Sequence, residues 1–208
     1  MGVILHGPGL WYATRAAGLV TLLLLTATVV LGILVSAQVS SDGWPRFLTV
    51  GLHRNLGLLV MVFLALHVGT TVADTYTSIS LRDAVVPFTG TYKPIWLGLG
   101  AVALDLLVAL TVTSLLRQRL SYRAWRTVHW CSYLCWPVAL VHGAGIGTDR
   151  AATWVTYLTF GCVAAVFGAI ALRVVLRWPE RKLLRLGVIV VAAASVVSVW
   201  TVAAGTGL

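Results

Sequence analysis

Charge is what this chain has least of. Only 10% of its 208 residues are Asp, Glu, Lys or Arg, and only six of those are acidic. A soluble domain carries about 25%, and a chain this poor in charge has too little polar surface to cover a folded core in water. A cytosolic globular domain and a disordered chain are both excluded. Cysteine is scarce as well. Cys131, Cys135 and Cys162 all fall in apolar segments, so they read as small core residues and not as a disulfide scaffold. There is no low-complexity linker, no evident internal repeat and no strongly basic stretch ahead of the first apolar run. That run is long enough to span a bilayer and reads as a retained helix, not a cleaved leader.

What the chain does have is apolar length: 59% of its residues are hydrophobic, and the mean hydropathy is +0.94. A spanning helix needs about 20 mostly apolar residues. Six stretches qualify, near 15–37, 52–73, 94–116, 124–145, 152–176 and 184–204. Runs of this length favour helices, because a barrel strand is shorter and alternates. The expected fold is therefore an all-α membrane protein, a bundle of six transmembrane helices forming one domain over residues 1–208. The net charge of +9 could point to nucleic acid, but the basic residues lie between the apolar runs, as cytoplasmic loops of a membrane protein do. Membrane lipids are the expected surroundings, and nucleic acid is not expected as a partner.

With six spans, the first, third and fifth loops share one side. They hold Arg46 and Arg54, then Arg117, Arg119, Arg123 and Arg126, then Arg173, Arg177, Arg181, Lys182 and Arg185. Arg15, Arg82, Lys93 and Arg150 are left for the other side. The positive-inside rule places the basic loops in the cytoplasm and both termini outside a plasma (inner) membrane. The second loop, 74–93, is the longest and is expected on the outer face as a lid.

Four of the five histidines lie in two of these helices: His53 and His67 in the second, His129 and His142 in the fourth. Two crossings separate the helices, so they run parallel, each with one histidine near the cytoplasmic end and one nearer the outer end. The fourteen residues from His53 to His67 give about 21 Å of rise and only about 40° of rotation, so both imidazoles share a face. Ionisable side chains inside a membrane are functional suspects, and imidazole is an axial ligand of heme iron. The pattern suits two stacked hemes, an inner one on His53 and His129 and an outer one on His67 and His142. The thirteen residues from His129 to His142 give about 140° on an ideal helix, so a kink is expected at the intervening Pro137. No Cys-x-x-Cys-His is present, so the hemes are expected to be b-type and noncovalent. Zinc fits less well, since no Cys/His/carboxylate cluster accompanies the histidines. Gly57, one turn after His53, is a place where a porphyrin could approach the helix, and Gly69, Gly143 and Gly145 flank the outer pair. Arg54, Arg123 and Arg126 stand beside His53 and His129 as partners for propionates or as topology signals. Asp105, mid-helix in VALDLLVAL, is expected to be protonated or hydrogen-bonded to a histidine, Thr or Ser. His6 reads as a surface histidine.

The stretches LHRNLGLLVMVFLALHV and LTVTSLLRQRLSYRAWRTVHWCSYLCWPVALVHG resemble the ferric reductase-like transmembrane domain family. That family includes the membrane cores of ferric reductases and NADPH oxidases, and the heme-binding membrane subunit of methionine sulfoxide reductase systems. The resemblance implies two bis-histidine hemes on the same four histidines. It also implies an oxidoreductase membrane component, a cytochrome b for electron transport. Such cores usually continue into FAD and NADPH domains. No Gly-rich nucleotide fingerprint follows a strand here, so the expected donor is separate, either a flavin reductase or membrane quinol. The expected acceptor is extracytoplasmic: ferric iron, a flavoprotein, a reductase partner or oxygen. Two other readings remain at this point. One is a quinol-linked heme anchor that docks a periplasmic or extracellular reductase. The other is a small transporter or heme-handling protein.

Overall fold

The computed structural model describes residues 8–75, 78–149 and 152–177. His6 and the sixth expected span, 184–204, lie outside them. Every element among the described residues is helical, apart from one isolated bridge between Ser41 and Trp44. The helices are α1 (Pro8–Ala37), α2 (Arg46–Ala73), α3 (Leu81–Val85), α4 (Pro94–Leu115), α5 (Tyr122–Trp130), α6 (Ser132–Ile146) and α7 (Thr153–Arg177). Four are long and apolar enough to cross a bilayer: Gly9–Ala37, Arg46–Ala73, Pro94–Leu115 and Thr153–Leu176. The protein is thus a multi-pass membrane protein. Large apolar side chains on these helices, among them Phe47, Val62, Leu66, Val108 and Val112, are exposed, as lipid-facing residues must be.

Helix ends are set by local chemistry. Gln38 follows α1 with φ of 59°. Its N–H donates to the Val35 carbonyl at 3.2 Å, and the Val39 N–H donates to the Leu34 carbonyl at 3.2 Å. This is the paired bonding of a Schellman stop, with Gln where glycine is usual. Pro94 opens α4 behind Lys93, itself left-handed at φ 40°. Short α3 is closed at its start by a capping box: Ser80 Oγ accepts from the Asp83 N–H at 3.2 Å, and Asp83 Oδ2 accepts from the Ser80 N–H at 3.1 Å. Asp83 also accepts from the Ser80 hydroxyl at 2.7 Å. These bonds to Ser80 hold its carboxyl below the usual carboxylate range.

The expected fourth span is not one helix. It is broken at Cys131 into α5 and the 15-residue α6. Pro137 lies inside α6, so the break is not at the proline. At Cys131 the backbone N–H donates to the Val128 carbonyl at 2.9 Å, an i−3 bond that tightens the turn, and the Leu134 N–H likewise donates to the Cys131 carbonyl at 3.0 Å. Short stretches of 3-10 winding are frequent at helix ends and between helices.

The chain divides into two compact units. One contains Leu56–Gly147 with the chain up to Leu25, and the other contains Thr26–Asn55 with the chain from Thr148 onward. In the first, α6 packs along α4. Leu97, Ala101, Ala103, Leu107 and Leu110 are buried on α4, and Cys135, Trp136 and Leu140 on α6. The Cys135 thiol donates to the Ala103 carbonyl at 3.6 Å. The expected outer loop folds onto α4: the Phe88 ring occupies the space a side chain on Gly98 would take. In the second unit the buried residues include Ile33 on α1, Thr49 on α2 and Cys162, Val163 and Val166 on α7. All three cysteines are free; Cys135 and Cys162 are buried, but Cys131, at the break, is exposed and is not a core residue.

Candidate functional site

His67 on α2 and His142 on α6 meet in the first unit. Their ring centroids are 6.4 Å apart and the ring planes are inclined by 79°. Each ring is held by a backbone carbonyl: His67 Nδ1 lies 2.8 Å from the Thr14 oxygen and His142 Nδ1 lies 2.7 Å from the Trp96 oxygen. A carbonyl oxygen only accepts, so both Nδ1 atoms carry the proton and donate. The lone pair of each imidazole is then on Nε2, the nitrogen left for a ligand.

This pair fits an axial-ligand role. An imidazole nitrogen sits about 2 Å from a first-row metal, and the ring centroid lies roughly 1 Å further back. Two imidazoles on opposite sides of one metal therefore have centroids roughly 6 Å apart. No group of three or more His, Cys, Asp or Glu that could hold a metal ion occurs among the described residues. A two-histidine site of this kind suits a macrocyclic iron, which needs only axial ligands from the protein.

His53 belongs to the second unit. Its Nδ1 donates to the Thr28 carbonyl at 2.8 Å, which leaves its lone pair on Nε2. His129 belongs to the first unit, at the end of α5. Its ring stacks on Trp125 at 4.9 Å with planes 23° apart, and the Arg117 guanidinium covers Trp125 at 4.6 Å. Arg54 and Arg126 are both exposed; Arg126 lies over the Trp130 ring at 5.7 Å.

Several residues singled out from the sequence do other things. Gly69 and Gly143 are exposed, and a Cβ on either meets nothing within 4 Å. Gly145 is occupied by the Trp96 ring, which anchors the residue whose carbonyl holds His142. Gly57 lies on α2, one turn after His53. Asp105 is exposed on α4 and makes no side-chain hydrogen bond among the described residues.

The residues that sequence reasoning missed are the holders of the histidines. Beneath His67 lies Gly18, beneath His53 lies Gly32, and beneath His142 lies Gly100. A signal was present: Thr14-x-x-x-Gly18 recurs as Thr28-x-x-x-Gly32, fourteen residues on. That is the spacing of His53 and His67.

The ferric reductase-like transmembrane component family matches residues 17–140. The chain belongs to this family. The matched segment of this ferric reductase-like chain includes His53, His67 and His129 and stops two residues short of His142. No curated protein and no solved structure matches it. Membership makes it a membrane component of electron transfer, of a family that generally binds heme.

Proposed function

We propose that this protein is a b-type cytochrome of the plasma membrane that carries electrons across the bilayer through two bis-histidine hemes. The observation that carries the reading is the His67–His142 pair, with both Nδ1 atoms engaged by carbonyls and the rings spaced for one metal. His67 and His142 hold the outer heme. His53 and His129 hold the inner one, a pairing that rests on the sequence pattern and on the Nδ1-protonated state of His53. Heme iron supplies a one-electron couple when bound. The chain's own part is to present four imidazoles, hold the Nδ1 protons of His53, His67 and His142 on backbone carbonyls, and surround the sites with apolar side chains that exclude water. Gly57 leaves room beside His53, while Arg54 and Arg126 supply positive charge at the inner end for propionates. Electrons enter from a separate flavin reductase or from quinol. They leave to an extracytoplasmic acceptor: ferric chelate, a flavoprotein, a reductase partner or oxygen.

Sealed vesicles containing the purified protein test this reading. With dithionite trapped inside and ferricyanide outside, b-type absorbance should reduce and ferricyanide should be consumed at a rate absent from empty vesicles. A protein whose histidines only bridge helices would give neither signal.

A further inference from the structure

Three histidines are held in the same way. The carbonyl of Thr14 takes the Nδ1 proton of His67, and Gly18, one turn on, lies under the ring. Thr28 and Gly32 do this for His53, and Trp96 and Gly100 for His142. Positions i and i+4 lie on one helix face, so a carbonyl and a bare backbone patch are presented together. The patch must be bare. A Cβ on Gly18 would lie 3.0 Å from His67 Cε1, one on Gly32 3.1 Å from His53 Cε1, and one on Gly100 2.5 Å from His142 Cε1. All are tighter than ordinary van der Waals contact. A methyl group on Gly100 forces the His142 ring to shift, and one on Gly18 or Gly32 requires the ring above it to give by a few tenths of an ångström.

We infer that α1 is a positioning helix for His53 and His67: its repeated carbonyl-and-glycine cradle, Thr14/Gly18 and Thr28/Gly32, fixes the tautomer and ring plane of each imidazole, and Trp96/Gly100 on α4 does the same for His142. Helix α1 offers no ligand of its own to these sites, yet it decides which nitrogen of each α2 histidine faces a metal and at what ring angle. The fourteen residues between Thr14 and Thr28 equal those between His53 and His67, and each histidine is met by the same contact within its own unit. The cradle deepens the heme reading, and its effect on heme rests on that reading; its effect on the histidine tautomer does not.

The low-spin ferric spectrum reads imidazole orientation, and pyridine hemochrome reads occupancy. Assign the two low-spin signals by loss in His67→Ala and His53→Ala. Gly18→Ala should then shift the His67 signal alone and Gly32→Ala the His53 signal alone, with Gly69→Ala, which meets open space, shifting neither. Gly18→Val should weaken the hold on the His67 heme by roughly 10- to 100-fold, the usual cost of losing a ligand's hydrogen-bond partner. If Gly18→Ala and Gly32→Ala match the wild type in both signals at full occupancy, or move both signals alike, the cradle is wrong and the heme reading stands. If the wild type carries no heme, the heme reading fails, and 15N-histidine spectra of the same full chain decide the cradle alone. Nδ1-protonated His53, His67 and His142 in the wild type, with the His67 state lost in Gly18→Ala, the His53 state in Gly32→Ala and the His142 state in Gly100→Ala, support it; Nε2-protonated rings in the wild type overturn it.

Discussion

At the residue scale, the glycines of this chain differ in what they stand against. Gly145 lies against the Trp96 ring with no room for a Cβ. Gly145→Val should therefore displace Trp96 and destabilise the protein by about 1–3 kcal/mol, the usual range for overpacking. Gly69 meets nothing within 4 Å, and Gly69→Ala should leave the thermal midpoint in detergent unchanged or slightly raised, since Ala is the better helix former by about 1 kcal/mol. Thermal melts of the two variants check both. From sequence, all such glycines look alike. The histidines stood out as ionisable side chains in apolar runs, but their partners are backbone carbonyls, and a carbonyl has no side-chain signature. Only the recurrence of Thr-x-x-x-Gly at the histidine spacing hints at two of them, Thr14 and Thr28, and nothing in the sequence hints at Trp96.

At the scale of elements, hydropathy located the apolar middles of the first, second, third and fifth expected spans and set the starts of the first two too late. The stretch expected from residue 15 begins at Pro8, and the one expected from residue 52 begins at Arg46. Helices continue through the polar interface, where Trp11, Arg15 and Arg46 suit the headgroup region and lower the apolar average. The fourth span was misread for a different reason. An average over 20 residues cannot register a single 3-10 turn, so the break at Cys131 was hidden, and Pro137, the obvious breaker, sits within a continuous α6. Side chains and their neighbours absorb a proline in a membrane helix more easily than in water. The stop at Gln38 gives a test at this scale. Its left-handed φ of 59° carries a steric cost that glycine avoids. Gln38→Gly should raise stability by about 0.5–1 kcal/mol in a detergent melt, whereas Gln38→Val should lower it.

At the scale of the whole molecule, the direction of electron flow depends on which way the chain is threaded through the membrane. The proposed orientation puts the loop that crowds Arg117, Arg119, Arg123 and Arg126 in the cytoplasm, on the positive-inside rule, and the His67–His142 site toward the outer face. A cysteine introduced at Arg119, in a background with Cys131 replaced by Ser, should react with an impermeant maleimide only after the cells are opened. Labelling of intact cells would reverse the orientation and exchange the inner and outer sites.

The central claim is that two hemes sit at two depths on four histidines, and heme content measures it most directly. Pyridine hemochrome on fully loaded wild-type protein should give about two hemes per chain, and the same measurement on His67→Ala should give about one. The remaining heme should disappear in the His53→Ala/His67→Ala double variant. If His67→Ala retains the full wild-type heme content and full transmembrane electron flux, the assignment of His67 and His142 as a ligand pair is contradicted, and with it the two-heme account.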